Sequence, residues 1–160
     1  MTSTISKDQP ADEFPFTKEE LDELLLNIDS YDAQDQEELL VLLEEYEKRV
    51  TQQACRDDLL AFCQAMQPTY LIGAHHRHLS NLLMQLERGE KDRITVSVAP
   101  RHGKSQLTSI FYTAWYLGRN PTKQVMLVSH TTDLAVDFGR KVRNIISTPE
   151  YQAIFPNVSL

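Results

Sequence analysis

The chain has few cysteines, few glycines and no long apolar run. Its 160 residues include 2 cysteines, 5 glycines and 1 tryptophan. Cys55 and Cys63 have no second pair beside them, which excludes a disulfide framework and a four-cysteine metal site, so we expect free thiols in a reducing cytosol. The apolar stretches are far shorter than the roughly 18 residues that cross a membrane. No apolar segment follows a basic start, so no secretory signal is predicted either.

The chain as a whole also lacks an excess of positive charge, although its second part has one. The formal net charge is −7. Residues 1–66 hold 17 acidic and 5 basic residues, whereas residues 67–160 hold 6 acidic and 11 basic residues. Overall acidity would argue against a nucleic-acid partner, and this division removes the argument without proving the opposite.

The acidic half reads as a tail followed by helices. Residues 1–15 are polar and aperiodic, and we expect a mobile tail. Thr17 and Glu20 have the spacing of a capping box, and apolar residues then recur at helical spacing through residues 33–50 and on to about 66. The predicted domains are therefore the tail 1–15, an acidic helical segment 16–66 and a third region 67–160. The acidic helices fit a docking module and a solvated helical bundle equally well.

A phosphate-binding loop is the strongest motif. Residues 99–106, APRHGKSQ, follow an apolar run at 94–98 and precede a helical pattern at 107–117. A strand, a loop with Gly-Lys-Ser and a helix form a P-loop, whose helix N-terminus attracts anions. We predict that Lys104 reaches the β- and γ-phosphates of a nucleotide and that Ser105 binds Mg²⁺. The residues assigned to nucleotide binding are Ala99, Pro100, Arg101, His102, Gly103, Lys104, Ser105 and Gln106.

The loop departs from the usual pattern at its start. Val98 holds the position of the first glycine, and Pro100 and Arg101 replace glycines that usually let the loop bend, so we predict a stiffer loop. Arg101 is close enough in sequence to stabilise charge on a γ-phosphate, and an ion pair with a loop carboxylate is the alternative. Lys104 and Arg101 are the catalytic candidates.

Three histidines lie upstream of this loop, at positions 75, 76 and 78. Helical metal ligands are usually spaced i, i+4, and no cysteine or carboxylate pair accompanies these residues, so a metal site is not expected. They begin a helical pattern that ends near Gly89, just before the first predicted strand. We predict that His76 contacts the nucleotide base from there.

The elements after the loop indicate an α/β fold. Residues 124–129 read as a second buried strand and residues 134–146 as a further helix, which is the opening of a parallel sheet. No apolar strand that ends in Asp or Asp-Glu follows, so the Walker B carboxylates are missing. We infer the N-terminal part of a longer polypeptide, with an incomplete P-loop ATPase core at 67–160 preceded by the acidic helical segment.

One helix carries a candidate DNA contact. Arg140, Lys141 and Arg143 fall within one turn, opposite the apolar residues Phe138, Val142 and Ile146. Closely spaced cations favour a site where phosphates neutralise them. A solvated helix face remains an equal alternative.

The chain resembles the large subunit of tailed-bacteriophage terminases. The resemblance rests on His76 and on the segments 86–89, 99–105, 115–121, 128–130, 137–143 and 151–156, and it covers about residues 76–156. A Pro-Arg-His-Gly-Lys-Ser loop without the leading glycine is more specific than a general P-loop. Residues 1–66 carry no useful resemblance.

The resemblance implies a RecA-like ATPase that packages viral double-stranded DNA into procapsids, followed by a nuclease domain. It implies ATP and Mg²⁺ as cofactors, a homo-oligomeric ring, and double-stranded DNA, the portal protein and the small terminase subunit as partners in the host cytoplasm. By resemblance, Ser129 and His130 couple the nucleotide state to DNA contact. The nuclease acids have no counterpart in this sequence, so we expect a poor ATPase and no nuclease from this chain alone.

Two other functions remain open. A different P-loop DNA motor, such as a helicase, shares the loop and the second strand. The second alternative is a non-enzymatic docking fragment with a vestigial P-loop. The intact Gly103-Lys104-Ser105 sequence argues against it. A nucleotide titration separates the second alternative from a motor.

Overall fold

A computed structural model describes residues 14–158 of the chain. Its helices in chain order are α1 Lys18–Leu26, α2 Ala33–Asp57, α3 Leu59–Met66, α4 Ala74–Glu87, α5 Tyr112–Arg119, α6 Thr132–Ile146 and α7 Pro149–Ile154. A 3₁₀ turn at Ile28–Ser30 follows α1, and a π-helical segment, Gln106–Phe111, leads directly into α5. The chain divides into two compact units after Val50. Residues 1–13 of the predicted tail lie outside the described residues.

The first unit contains the predicted capping box. The Thr17 backbone N–H donates to Glu20 Oε2 at 2.7 Å, and the Glu20 N–H donates to Thr17 Oγ1 at 3.3 Å. These bonds to the charged form lower the pKa of Glu20. Leu21 and Leu39 are the buried apolar residues among the described residues of this unit, and the ring of Phe14 lies 5.4 Å from that of Tyr46. The predicted capping box at the N-terminus of α1 is therefore confirmed.

The second unit is built around large buried side chains. Its core includes Phe62, Trp115 and Tyr151, each at most 1% exposed. The indole N–H of Trp115 donates to the carbonyl of Cys55 at 3.0 Å, and Tyr151 Oη donates to the carbonyl of Ala114 at 2.9 Å. Burying a polar group without a partner is costly, so these two bonds let both rings enter the core intact.

Arg119 joins three elements of the second unit. Its Nε lies 3.0 Å from Glu87 Oε1, its Nη1 donates to the Arg56 carbonyl at 2.7 Å, and its guanidinium lies 4.9 Å from the ring centre of Trp115. The end of α5 is thereby fastened to α4 and to the end of α2. This network fixes the C-terminal end of the helix that begins at the predicted P-loop.

The α/β fold class with a RecA-like parallel sheet is wrong for the described residues. Residues 14–158 contain no strand, and the predicted strands at 94–98 and 124–129 have no regular secondary structure. A strand requires a hydrogen-bonded neighbour about 4.8 Å away, and no described segment supplies one. Met126 and Val128 are 87% and 83% exposed, and only Leu127 between them packs against the core, so this apolar run is not a buried strand.

The helix predictions agree much better with the structure. The histidine-containing helix ends at Glu87, and Gly89 follows with a φ of +75°. Helix α6 contains the whole predicted range 134–146, with Val142 and Ile146 buried. None of the helices in residues 14–158 has both the length and the apolar character needed to span a bilayer.

Candidate phosphate-binding site

The predicted P-loop is a sharp bend that leads into a helix. Arg101 and Gly103 have φ angles of +64° and +72°, in the left-handed region that favours glycine. Among the described residues, Arg101 is the one residue other than glycine that has a positive φ. Such a conformation costs about 1–2 kcal/mol for a residue other than glycine. Arg101 therefore supplies the bend that the missing glycines would otherwise supply.

The start of the following helix leaves backbone donors available. Its first bond runs from the Leu107 N–H to the Gly103 carbonyl at 2.9 Å. The backbone N–H groups of Gly103, Lys104 and Ser105 have no hydrogen-bond partner within residues 14–158. Unpaired N–H groups at a helix N-terminus carry partial positive charge, and a phosphate oxygen satisfies them well.

Two histidines of α4, His75 and His76, contact the loop at the His102 carbonyl. Nε2 of His76 lies 3.1 Å from the carbonyl oxygen of His102, and Nε2 of His75 lies 3.2 Å from the same oxygen. A β carbon on Gly103 would lie only 2.7 Å from His76 Nε2. Gly103 is thus required both for its positive φ and for the space that His76 occupies.

His76 is nearly buried and uses both ring nitrogens. It is 7% exposed, and its Nδ1 accepts a hydrogen bond from the Gly73 N–H at 3.1 Å. Burial lowers the pKa of His76, and the neighbouring His75 lowers it further, so the neutral ring is favoured. The predicted contact of His76 with a nucleotide base stays a prediction.

Tyr70 completes this side of the loop, and sequence reasoning did not find it. Its hydroxyl is buried without a hydrogen-bond partner among the described residues, 3.7 Å from where a β carbon on Gly103 would lie. Burial raises the pKa of Tyr70 to about 12, so the phenol keeps its proton. Its ring lies 5.3 Å from those of both His76 and Phe111. Nothing in the sequence marks Tyr70, because it precedes Gly103 by more than thirty residues.

The loop side chains differ in their exposure. Lys104 is half-buried, whereas Arg101, His102 and Ser105 are exposed, as are Ala99 and Pro100. No ion pair of Arg101 is found in the described part of the chain, so the alternative of a loop carboxylate gains no support. Neither Lys104 nor Arg101 therefore forms an ion pair with a carboxylate of the described residues.

An open cleft of about 550 Å³ lies beside the start of the helix. Ser105 and Gln106 form one part of its lining, and the side-chain amide of Gln106 donates to Gln67 Oε1 at 2.7 Å. Phe138, Lys141 and Asn144 of α6 line it as well. The cleft thus connects the predicted nucleotide loop with the helix predicted to contact DNA.

The three cations of α6 are exposed but not all unpaired. Lys141 Nζ lies 2.7 Å from Asp137 Oδ2, and Arg140 Nη1 lies 3.9 Å from Asp137 Oδ1. Arg143 is exposed and has no ion pair within residues 14–158. Asp137 reduces the local positive charge, which sequence spacing alone did not take into account.

The predicted coupling residues precede α6. Ser129 is half-buried and His130 is exposed, and both lie just before Thr131, whose hydroxyl accepts from the Leu134 N–H at 3.4 Å. Neither side chain forms a hydrogen bond with residues 99–106. Their proposed role in coupling stays a prediction.

Comparison with protein families gives one match, which contains the loop and α6. Residues 96–159, less than half of the chain, match the family described as terminase large subunit, T4likevirus-type, N-terminal. The match confirms the resemblance drawn from the sequence from residue 96 onward and supports a role in phage DNA packaging. Comparisons with curated proteins and with solved structures give no match.

Proposed function

We propose that residues 99–106 bind ATP for a DNA-packaging motor, since they lie within the segment 96–159 that matches the N-terminal part of the terminase large-subunit family. The observation that carries the proposal is the set of available N–H groups at Gly103, Lys104 and Ser105, at the start of a helix within the matched segment.

Each loop residue has a distinct chemical task in this proposal. The backbone N–H groups bind phosphate oxygens, and the Lys104 ammonium neutralises the β- and γ-phosphates. The Ser105 hydroxyl is an oxygen ligand of the kind that Mg²⁺ accepts, while waters and phosphates complete its coordination. Mg²⁺ supplies neutralisation of phosphate charge when bound. Arg101 adds a second cation, whose value is greatest as charge develops on the γ-phosphate.

The activity of the whole protein extends this proposal. We propose that ATP hydrolysis drives double-stranded DNA into procapsids, in a homo-oligomeric ring on the portal protein in the host cytoplasm. The catalytic carboxylates and an endonuclease belong to parts of the family that have no counterpart in these residues. The small terminase subunit is the further partner. The chain alone is accordingly proposed to bind nucleotide while hydrolysing it poorly.

The acidic first unit is proposed as the docking module for these protein partners. Leu40 and Val41 of α2 are 50% and 59% exposed, and Leu26 is 86% exposed. Exposed apolar side chains within an acidic helical surface suit a protein partner with an apolar groove and a basic rim.

A titration with MgATP tests the nucleotide site directly. We expect the wild-type chain to bind, and Lys104→Ala to weaken binding tenfold or more, in line with the roughly 1.5–3 kcal/mol of a hydrogen bond to a charged group. Lys123→Ala removes an exposed lysine of the same unit and is the matched control. In the full-length protein, Lys104→Ala should abolish ATP-driven translocation. Packaging at nearly the wild-type rate in that variant would contradict the proposal.

A further inference from the structure

Two carbonyl groups of the loop accept hydrogen bonds from histidines. The His102 carbonyl oxygen lies 3.1 Å from Nε2 of His76, and the Pro100 carbonyl oxygen lies 2.8 Å from Nδ1 of His102 itself. A carbonyl oxygen only accepts, so each of these ring nitrogens carries its hydrogen. The histidines therefore act as donors to the loop backbone.

The tautomer of His76 is determined by its other partner. The Gly73 N–H donates to His76 Nδ1 at 3.1 Å, which requires a lone pair on Nδ1 and places the hydrogen on Nε2. The ring is therefore held at both nitrogens, on a helix whose first turn begins beside Gly73. His76 presents a fixed donor to the loop, and a rotated ring would lose one of the two bonds.

Peptide geometry transmits this constraint to the proposed phosphate site. In a trans peptide the C=O and the following N–H point in opposite directions. No described peptide bond is cis. Because the His102 carbonyl points toward His76, the Gly103 N–H points away from the histidines. That N–H has no hydrogen-bond partner among residues 14–158.

We propose that His76 is a positioning residue that fixes the His102–Gly103 peptide with the Gly103 N–H directed at a bound phosphate. The proposal rests on the proposed ATP site at residues 99–106. His76 touches no phosphate itself and acts through the peptide plane. His75 donates to the same oxygen at 3.2 Å but is exposed to solvent, where water competes for its hydrogen, so it contributes less than the buried His76.

The test compares two ligands that share a phosphate chain and differ in the base. The chain is titrated with MgATP and, separately, with the Mg²⁺ complex of inorganic triphosphate. We expect His76→Ala to weaken binding of both ligands by the same factor, about tenfold, which corresponds to about 1.4 kcal/mol. A direct contact between His76 and the base predicts a loss for MgATP alone, and that result would overturn the proposal.

Two isosteric variants keep the test independent of folding. The side-chain amide of His76→Gln places an N–H near the position of Nε2, whereas that of His76→Asn places it near Nδ1. We expect the Gln variant to stay within about threefold of wild type for both ligands. We expect the Asn variant to lose affinity as the Ala variant does. Equal losses in the Gln and Asn variants would overturn the role assigned to the Nε2 hydrogen.

His78→Ala is the matched control, since His78 is an exposed histidine on the same helix. It should leave both affinities unchanged, and thermal melting of each variant checks that it is folded. Unchanged affinities in folded His76→Ala would overturn this inference while leaving the ATP site standing. A wild-type chain that bound neither ligand would overturn the ATP site and the positioning role together.

Discussion

Gly118 lies against the ring of Phe155. A β carbon at Gly118 would lie 2.5 Å from Cδ2 of Phe155 and 2.6 Å from two further ring atoms. The ring has little freedom to move, because Phe155 is 5% exposed and lies 5.1 Å from the ring of Tyr151 and 6.0 Å from that of Phe62. Close approach between the end of α5 and the residue after α7 thus depends on a glycine.

Gly118→Ala should lower the free energy of unfolding by about 1–3 kcal/mol, because the added methyl group overpacks this contact. Gly139→Ala in α6 is the matched control, since a β carbon there meets no atom within 4 Å. That control should raise stability by roughly 0.5–1 kcal/mol through helix propensity. Urea unfolding of both variants measures the difference, and equal effects would contradict the contact.

Stability should fall as the pH falls through the range where histidine titrates. The pKa of His76 is lowered from its ordinary value of 6.5, so the unfolded chain binds more protons near that pH. The stability that neutral His76 contributes is present above pH 6.5 and is lost as the pH falls toward its folded pKa. The titratable groups that face it are His75, His102 and Tyr70.

Chemical unfolding at pH 7.5 and 5.5 checks this prediction. His76→Gln cannot titrate, so its stability should change less between the two pH values than that of the wild type. His78→Gln, which replaces an exposed histidine of the same helix, serves as the matched control. If the His76 variant kept the full pH dependence, other groups would be responsible.

Arg101→Ala should reduce the ATP turnover of the full-length motor far more than its nucleotide affinity. The exposed guanidinium has no ion pair in the described part of the chain, and its charge matters most as negative charge develops on the γ-phosphate. An arginine in that role contributes about 10³-fold or more to the rate. Steady-state kinetics separate kcat from KM, with exposed Arg93→Ala as the control. A loss of affinity with an unchanged kcat would make Arg101 a ground-state ligand only.

Neutralising Arg140, Lys141 and Arg143 together should weaken DNA binding equally on unrelated sequences. The log–log salt slope should flatten by about 0.9 for each phosphate contact that is lost. Asp137→Asn should have the opposite effect on DNA affinity, because Asp137 pairs with Lys141 at 2.7 Å and with Arg140 at 3.9 Å and its loss raises the local positive charge. It should strengthen DNA binding. An unchanged salt slope in the triple variant would show that these cations merely face solvent.

The sequence predicted the helices well and the sheet wrongly, for the same physical reason. A helix depends on residues within four positions of one another, so the capping box of Thr17 and Glu20 and the apolar face of α6 are legible in the sequence. A strand depends on a neighbour that is distant in sequence. The apolar runs at 94–98 and 124–129 were mistaken for buried strands because apolar composition does not reveal whether such a neighbour exists.

The sequence by itself determined the capping box of α1, the helix over residues 134–146 and the family resemblance. The phosphate-binding role of residues 99–106 stays a proposal. Only the tertiary structure decided that His76 and Tyr70 lie beside Gly103, that Asp137 pairs with two of the three α6 cations, and that Gly118 meets Phe155. Local patterns report the geometry of one turn of chain. The contacts at Gly103 and Gly118 join residues dozens of positions apart, and the packing of side chains with particular volumes and donors selects them.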